Sequence, residues 1–263
     1  MGFFGAGRMP AARQASGHQL ARLISLAGFI LLWWAAARLA AEPQLLPAPE
    51  VVARFAWDEV LSGAMPLNLA ITMLRVAAAF LLSMAIGVVA GYVAGRSPRA
   101  DAVMDPWLVI ALNLPVLVVI ILVYIWVGLN ELAAVLAVAI AKTPTVMVTL
   151  REGARALDPG LDDLAQVFRI GRLRRLRRIV VPQLSPYLAA AARGGLSITW
   201  KIVLIVELLG RPNGVGFVLN LFFQDFNVAG ILAYGFVFAA VMLLIETVLL
   251  QRWERRVNDW RRA

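Results

Sequence analysis

Apolar residues in this chain gather in long blocks, separated by short polar stretches that hold most of the charge. A helix crossing the roughly 30 Å hydrocarbon layer of a bilayer needs about 20 mainly apolar residues. Six stretches reach that length: 20–40, 68–94, 107–127, 132–150, 188–209 and 228–250. The third is the clearest, since no charge falls between Pro106 and Asn130, and Pro115 predicts a kink within it. The first is interrupted by Arg38 and contains Ala35, Ala36 and Ala37, a small-residue run of the kind found at leader cleavage sites. The even number of spans required below keeps it as a helix.

Arginine sets the orientation. Segments 1–22, 95–106, 151–187 and 251–263 hold 18 arginines, whereas 41–67, 128–131 and 210–227 hold only Arg54 and Arg211. Positive loops stay in the cytoplasm, so both termini are expected there. The expected organisation is a cytoplasmic tail 1–19, a first helix 20–40 and an outer segment 41–67. A five-helix core 68–250 follows, with the long cytoplasmic loop 151–187 inside it, and then a cytoplasmic tail 251–263.

Composition agrees with this pattern. Apolar residues make up 61% and charged residues 16%, against roughly 45–50% and about 25% in ordinary soluble domains. A core of this size cannot hide that much apolar side chain, so the surplus faces lipid. The net charge of +9 comes almost wholly from arginine, the two lysines being Lys142 and Lys201. The absence of cysteine excludes disulfides, thiolate metal sites and cysteine nucleophiles. The single histidine, His18, stands in the N-terminal tail.

In the outer segments, Pro47 and Pro49 stop the first helix, and Pro49 suits the first turn of a short helix running to about Leu61. Val51, Val52, Phe55 and Val60 give that helix an apolar side, for which only the membrane surface is available. The run Arg211-Pro212-Asn213-Gly214-Val215-Gly216 reads as a turn.

The loop 151–187 is the least ordinary part of the chain. After a break at Asp158, Pro159 and Gly160, residues 161–168 predict a short helix, with Asp162 and Asp163 near its positive end and Gly171 closing it. Leu173, Leu176 and Val180 then recur at helical spacing among arginines. Three uses are open to such a loop: lying on anionic lipid heads, binding nucleic acid, or docking a cytoplasmic protein. A single loop pinned to a membrane is a poor reader of a duplex, and no nucleic-acid partner is expected.

Asp163-Leu164-Ala165, followed by Ile179-Val180-Val181-Pro182 and Pro186, resembles the EAA loop of type I, binding-protein-dependent ABC importer permeases. Further fragments are similar to the taurine, sulfonate and nitrate branch, in the same order. They are Leu45-Leu46-Pro47-Ala48-Pro49, Gly95-Arg96-Ser97-Pro98, Met104-Asp105-Pro106, Tyr124-Ile125-Trp126-Val127-Gly128-Leu129, and Glu207-Leu208-Leu209 with Gly214-Val215-Gly216-Phe217. The resemblance runs from about residue 29 to 260. Asp163 stands where the family has glutamate, Leu164 where it has alanine, and Arg169 where it has glycine, with Gly171 two residues later. The resemblance implies an all-α integral membrane fold of six transmembrane helices with a cytoplasmic EAA-type coupling helix. Residues Asp162, Asp163, Leu164, Ala165, Phe168, Arg169 and Gly171 would dock it on a separate ATP-binding cassette ATPase dimer. A second permease subunit, most simply another copy of this chain, and a periplasmic or extracellular substrate-binding protein would complete the machine in the bacterial inner membrane. No cofactor is expected in this chain. Its one Lys-Thr pair, Lys142 and Thr143, follows Ala141 inside a span and lacks the glycines of a phosphate-cradling loop.

Charges within spans cost about 2.5–3.5 kcal/mol each near the bilayer centre, so each needs a reason. Arg193, Ser197, Trp200, Lys201 and Glu207 fall within roughly one 120° arc of the fifth span. Lys142 lies deep in the fourth. One reading makes Asn113, Lys142, Ser197, Trp200, Lys201 and Glu207 a path for a small anion. The other pairs Lys201 with Glu207 or Glu246 as a packing device and lets Arg193 reach the inner surface. Arg75 reads as an anchor near the outer end of its span. Gly87, Gly91 and Gly95 form a small-residue stripe for close helix packing. An ion-coupled secondary transporter is the competing class, but it typically carries deep carboxylates and internal repeats. A membrane-embedded enzyme would need a cluster of histidine, cysteine or aspartate that the spans lack.

Overall fold

The computed structural model describes residues 11–40 and 42–250; of the expected tail 1–19, residues 11–19 belong to the first helix instead, while residues 1–10 and the expected tail 251–263 lie outside the described residues. Everything described is helix, turn or irregular segment, with no strand among the described residues. Helix α1 (Ala11–Ala40) leads through a turn held by Trp33, whose Nε1 donates to the Pro47 carbonyl at 3.1 Å, into α2 (Pro49–Leu61). Next come α3 (Ala64–Arg96), α4 (Pro98–Asn113), α5 (Val116–Val127) and α6 (Glu131–Arg155). A short α7 (Pro159–Val167) precedes α8 (Arg172–Arg175). Helix α8 continues through the π-helical turn Leu176–Val180 into α9 (Val181–Gly210), making one rod of 39 residues. Then come α10 (Val215–Gln224) and α11 (Val228–Ile245), and the π-helical turn Glu246–Leu250 ends the described residues.

Six spans were expected, and four described helices are long and apolar enough to cross a membrane: Ala64–Arg96, Glu131–Arg155, Arg172–Gly210 and Val228–Val248. A fifth arises only if α4 and α5 count as one span, and α1 contributes the shorter apolar stretch Ile24–Ala40. The expected kink at Pro115 is a break of 101°. The residue before a proline is pushed out of the helical region, and Leu114 duly sits at φ −71°, ψ 128°.

Helices α3, α6 and α9 form the centre of the bundle. The glycine stripe explains how closely α3 and α6 approach. A Cβ on Gly87 would stand 2.6 Å from Val146 Cβ, one on Gly91 2.5 Å from the Met147 carbonyl oxygen, and one on Gly95 2.6 Å from Ala154 Cβ. Helix α5 closes this core with Ile120, Val123 and Tyr124 against Ala133, Ala134, Val203 and Val206. The Tyr124 hydroxyl donates to the Val206 carbonyl at 2.9 Å.

A second core joins α2, α10 and α11. The helix expected from Pro49 is present, but its apolar side does not lie on the membrane surface alone. Val52 is buried against Val215, Val218, Ala233 and Tyr234, and Phe55 meets the Phe222 ring edge-on at 5.5 Å. Val51 and Val60 remain exposed. The segment 210–227, of which only 211–216 reads from sequence as a turn, also holds the apolar helix α10, which gives α2 a protein surface to rest on.

Candidate functional site

Two constellations stand out, one at each end of the α3–α6–α9 core. The first is built around α7. Its first residue is Pro159, whose missing N–H costs nothing there, and the Asp158 carboxylate caps it by accepting the Gly160 N–H at 2.8 Å. Leu157 packs with Ala154, Val180 and Leu184, anchoring the start of the loop to α6 and α9. Asp162 is buried, with 7% exposure, and holds two arginines. Arg96 from the end of α3 donates to its Oδ2, and Arg175 lies 2.7 Å from its Oδ1. Ala165, one turn on, is also buried.

The opposite face of α7 is bare. Leu164 is 50% exposed, Val167 77% and Phe168 72%, and Asp163 is exposed beside them. This is an apolar ridge on a nine-residue helix held out from the bundle by a pair of arginines on its rear face.

The end of α7 accounts for Arg169. The Ile170 N–H donates to the Ala165 carbonyl at 2.9 Å and the Arg169 N–H to that of Gln166 at 3.0 Å, the paired bonds of a Schellman cap. That cap requires a left-handed residue after Phe168, and Arg169 takes it with φ 47°. Gly171, expected to close the helix, has φ −60° and does no such work. The turn therefore keeps its place, and an arginine occupies the position that favours glycine.

The second constellation lies where α3, α6 and α9 reach the other end of the bundle. Arg75, expected as an interface anchor, is instead buried with 5% exposure. All five of its N–H donors are engaged. Nε and Nη2 fork onto Glu131 at 2.8 and 2.6 Å, Nη1 reaches Glu207 at 2.7 Å and the Asn213 carbonyl at 2.9 Å, and Nη2 also meets the Asn213 side chain. Glu207 is fully buried, and its other oxygen lies 2.9 Å from both Thr72 Oγ1 and the Gly216 nitrogen. Thr72 Oγ1 in turn accepts the Val215 N–H at 2.8 Å, and Asn68 accepts that of Gly214 at 2.8 Å. Arg211 completes the ring by donating to Glu131 at 2.5 Å and to the Leu129 carbonyl at 2.9 Å. Gly214, at φ 101°, leaves no room for a Cβ, which would strike the Glu207 carboxylate. The loop 211–216 is thus clamped onto three helices by Arg75, Glu131 and Glu207, with Thr72 and Asn68 taking its backbone N–H groups.

The path residues proposed from sequence are distributed rather than gathered. Lys142 is 2% exposed, and among the described residues it meets no carboxylate; its Cε lies where a Cβ on Gly195 would be 3.4 Å away, beside Phe80. Lys201 is exposed, with its ammonium 5.3 Å from the centre of the Trp200 ring. Trp200 is half-buried and meets Phe238 edge-on at 5.4 Å, and Ser197 is half-buried. Asn113 is exposed and turns its amide back to the Val109 carbonyl at 2.8 Å. Glu207 faces inward to Arg75, so the 120° arc is divided: its Glu207 edge packs into the bundle and its Lys201 edge faces out. Gly194, Ile198, Lys201, Ile205 and Leu208 form that outward stripe. Sequence reasoning missed Arg75 and Thr72 as partners of Glu207, Glu131 as a partner of Arg75, and Arg96 and Arg175 as partners of Asp162. The one usable signal was that a fully buried carboxylate demands a cation.

Comparison with known proteins agrees with this architecture. The sequence pattern described as "Binding-protein-dependent transport system inner membrane component" matches residues 83–262, more than half of the chain. A putative aliphatic sulfonates transport permease protein, SsuC of Bacillus subtilis (strain 168), is 26% identical over 219 residues, covering 83% of this chain and 79% of that one. The taurine transport system permease protein TauC of Escherichia coli (strain K12) is 24% identical over 263 residues, covering 96% and 92%. The bicarbonate transport system permease protein CmpB of Synechococcus elongatus is 24% identical over 185 residues, covering 69% and 66%. Among solved structures, a chain from the crystal structure of an amino acid ABC transporter with histidines superposes with a TM-score of 0.60 at 19% identity, covering 74% of this chain and 95% of that one. That likeness concerns the fold. The chain belongs to the family of binding-protein-dependent transport system inner membrane components, the membrane-embedded permeases of ABC transporters.

Proposed function

We propose that this chain is the transmembrane subunit of an ATP-driven, binding-protein-dependent importer that carries a small organic or inorganic anion into the cytoplasm. It works beside a second permease subunit in the bacterial inner membrane, with both termini inside. A separate pair of ATPase subunits grips α7, and an external binding protein delivers the solute. The single observation that carries this reading is the exposed ridge of Leu164, Val167 and Phe168 on a helix whose rear face is pinned by Asp162 to Arg96 and Arg175. An apolar face away from the hydrocarbon layer gains most by meeting a protein. Its rigid tie to α3 and α9 gives a partner's movement a route into the bundle.

Anion transport is supported by the names of the relatives, which concern aliphatic sulfonates, taurine and bicarbonate, and by Lys142, a buried cation with no carboxylate beside it among the described residues. The outward stripe of α9, with Lys201 on it, is the face we assign to the second subunit and the path between the two. The competing class, an ion-coupled carrier complete in itself, would need a carboxylate free to exchange ions, and Glu207 is committed to Arg75. Uptake of labelled taurine, alkylsulfonate and bicarbonate into proteoliposomes tests the proposal. Transport that needs an ATPase subunit, a binding protein and ATP supports it; uptake by the chain alone contradicts it.

A further inference from the structure

We infer that the transported anion passes α9 at Gly194, with Lys142 standing behind it in the gap left by Gly195. The inference rests on the importer reading and adds to it the residue that sets how closely the solute approaches. Two consecutive glycines weaken a helix interior, since each has backbone freedom to lose and no side chain to pack. Gly195 has a reason within the chain. A Cβ there would stand 3.3 Å from Phe80 Cε2 and 3.4 Å from Lys142 Cε, so the missing side chain makes room for both. Gly194 has no such reason: it is exposed, and nothing lies within 4 Å of where its Cβ would be.

Two observations turn that open position into a passage for an anion. The first is Lys142, which is 2% exposed and makes no hydrogen bond or ion pair among the described residues. Its Cε reaches the bare backbone of α9 at Gly195, one position from Gly194. A buried ammonium without a counter-charge gains from any anion that comes within several Å, and neither glycine carries a side chain to keep one away.

The second is Lys201, on the same outward stripe as Gly194 and two turns further along α9. It is exposed, and it stands nine residues, about 14 Å, from the Gly210 end of the rod. That is close to the middle of a hydrocarbon layer roughly 30 Å thick, where a lysine does not face lipid. The stripe therefore faces water or protein, and an anion entering from the Gly210 end meets Lys201 before it meets the glycines. Gly235 on α11 offers a contrast. It is just as open as Gly194, but α11 carries no charge from Val228 to Ile245, so nothing there would draw an anion.

The chain has no cysteine, so a single introduced thiol reports its own surroundings. Gly194→Cys, in the full transporter with its second permease subunit and ATPase subunits, is treated with 2-sulfonatoethyl methanethiosulfonate and separately with the cationic trimethylammonium reagent. Labelling is read from the mass of this chain, and each rate is divided by that reagent's rate with a free thiol. The sulfonate reagent should react at least about tenfold faster, as one unit charge several Å away dictates at an effective dielectric constant near 20. Adding Lys142→Gln should lower that ratio at least about threefold with Lys201 and Arg193 left in place. Retention of the ATPase subunits on a sizing column shows that this variant folds. Gly235→Cys should show no preference for either reagent. The inference is overturned if both reagents label Gly194→Cys equally, or if the preference survives Lys142→Gln unchanged. It is overturned as well if the introduced thiol is shielded from both reagents or links to its counterpart in a second copy, since the space then belongs to a subunit contact. Uptake is measured separately. ATP-driven uptake by the wild type beside an absent labelling preference rejects this inference alone, whereas uptake by the chain without its partners rejects the importer reading.

Discussion

Arg75 Nη1 lies 2.7 Å from Glu207 Oε1, and both side chains are buried where α3 and α9 meet the loop 211–216. The pair is satisfied on every side: the guanidinium spends its remaining donors on Glu131 and Asn213, and the carboxylate takes Thr72 and the Gly216 N–H. A buried ion pair stabilises only when its leftover hydrogen-bonding capacity is met, and here it is. Arg75→Met should therefore destabilise the purified protein by about 3–5 kcal/mol, because Glu207 is left charged and alone. The double variant Arg75→Met with Glu207→Met should recover a good part of that loss. Thermal unfolding in detergent, followed by near-ultraviolet circular dichroism, reads both.

The contact of α3 with α6 offers a paired comparison. Gly91→Ala would set a methyl 2.5 Å from the Met147 carbonyl oxygen and 2.8 Å from Leu150 Cβ. Backbone cannot give way as a side chain can, so a loss of roughly 1–3 kcal/mol is expected. Gly235→Ala, with nothing within 4 Å of the new carbon, should be neutral or slightly stabilising. Melting temperatures of the two variants should move in opposite directions or differ by several degrees.

At the end of α7, Arg169 pays for a left-handed backbone that glycine adopts freely. Arg169→Gly should firm the cap by about 1 kcal/mol. Hydrogen exchange at the Ile170 amide, which bonds to the Ala165 carbonyl, should slow several-fold. Gly171→Ala should leave that rate unchanged, since Gly171 has an ordinary φ of −60°.

The helical pattern was readable because long apolar blocks and prolines act locally. Pro49 starts α2 and Pro115 breaks the chain between α4 and α5, as their chemistry requires. The glycine stripe was readable too, since spacing by four places small residues on one face. What spacing cannot reveal is partnership across the chain. Arg75 and Glu207 are 132 positions apart and Arg96 and Asp162 are 66 apart, so neither pair leaves a periodic trace. Asp162 and Asp163 were indistinguishable in sequence; only the folded loop buries one and exposes the other. The arc on α9 failed for a related reason. Lys201 and Glu207 sit at its two edges, one facing out and the other packed inside.

Lys142 tests the transport path. Lys142→Met removes a buried cation that no described carboxylate balances, so the fold should survive while uptake of the anion falls. A loss of about tenfold or more in the proteoliposome assay is expected, one missing charge near the path being worth on the order of 1.4 kcal/mol or more. Lys201→Met, on the outward stripe, is expected to reduce uptake less. Unchanged uptake in both variants would remove the lysines from the path.

The most direct test of the whole account is recruitment of the ATPase by α7. Leu164→Asp and Phe168→Asp charge the exposed ridge without touching Asp162, Arg96 or Arg175. Co-purification of an affinity-tagged permease with its ATPase subunit should fall by about tenfold or more in each variant, the effect of burying an unpaired charge at an interface. Recruitment should remain at the wild-type level in a control with Leu129→Asp at the far end of the bundle. If both α7 variants bring down as much ATPase as the wild type, α7 is not where the motor is held, and the account is wrong.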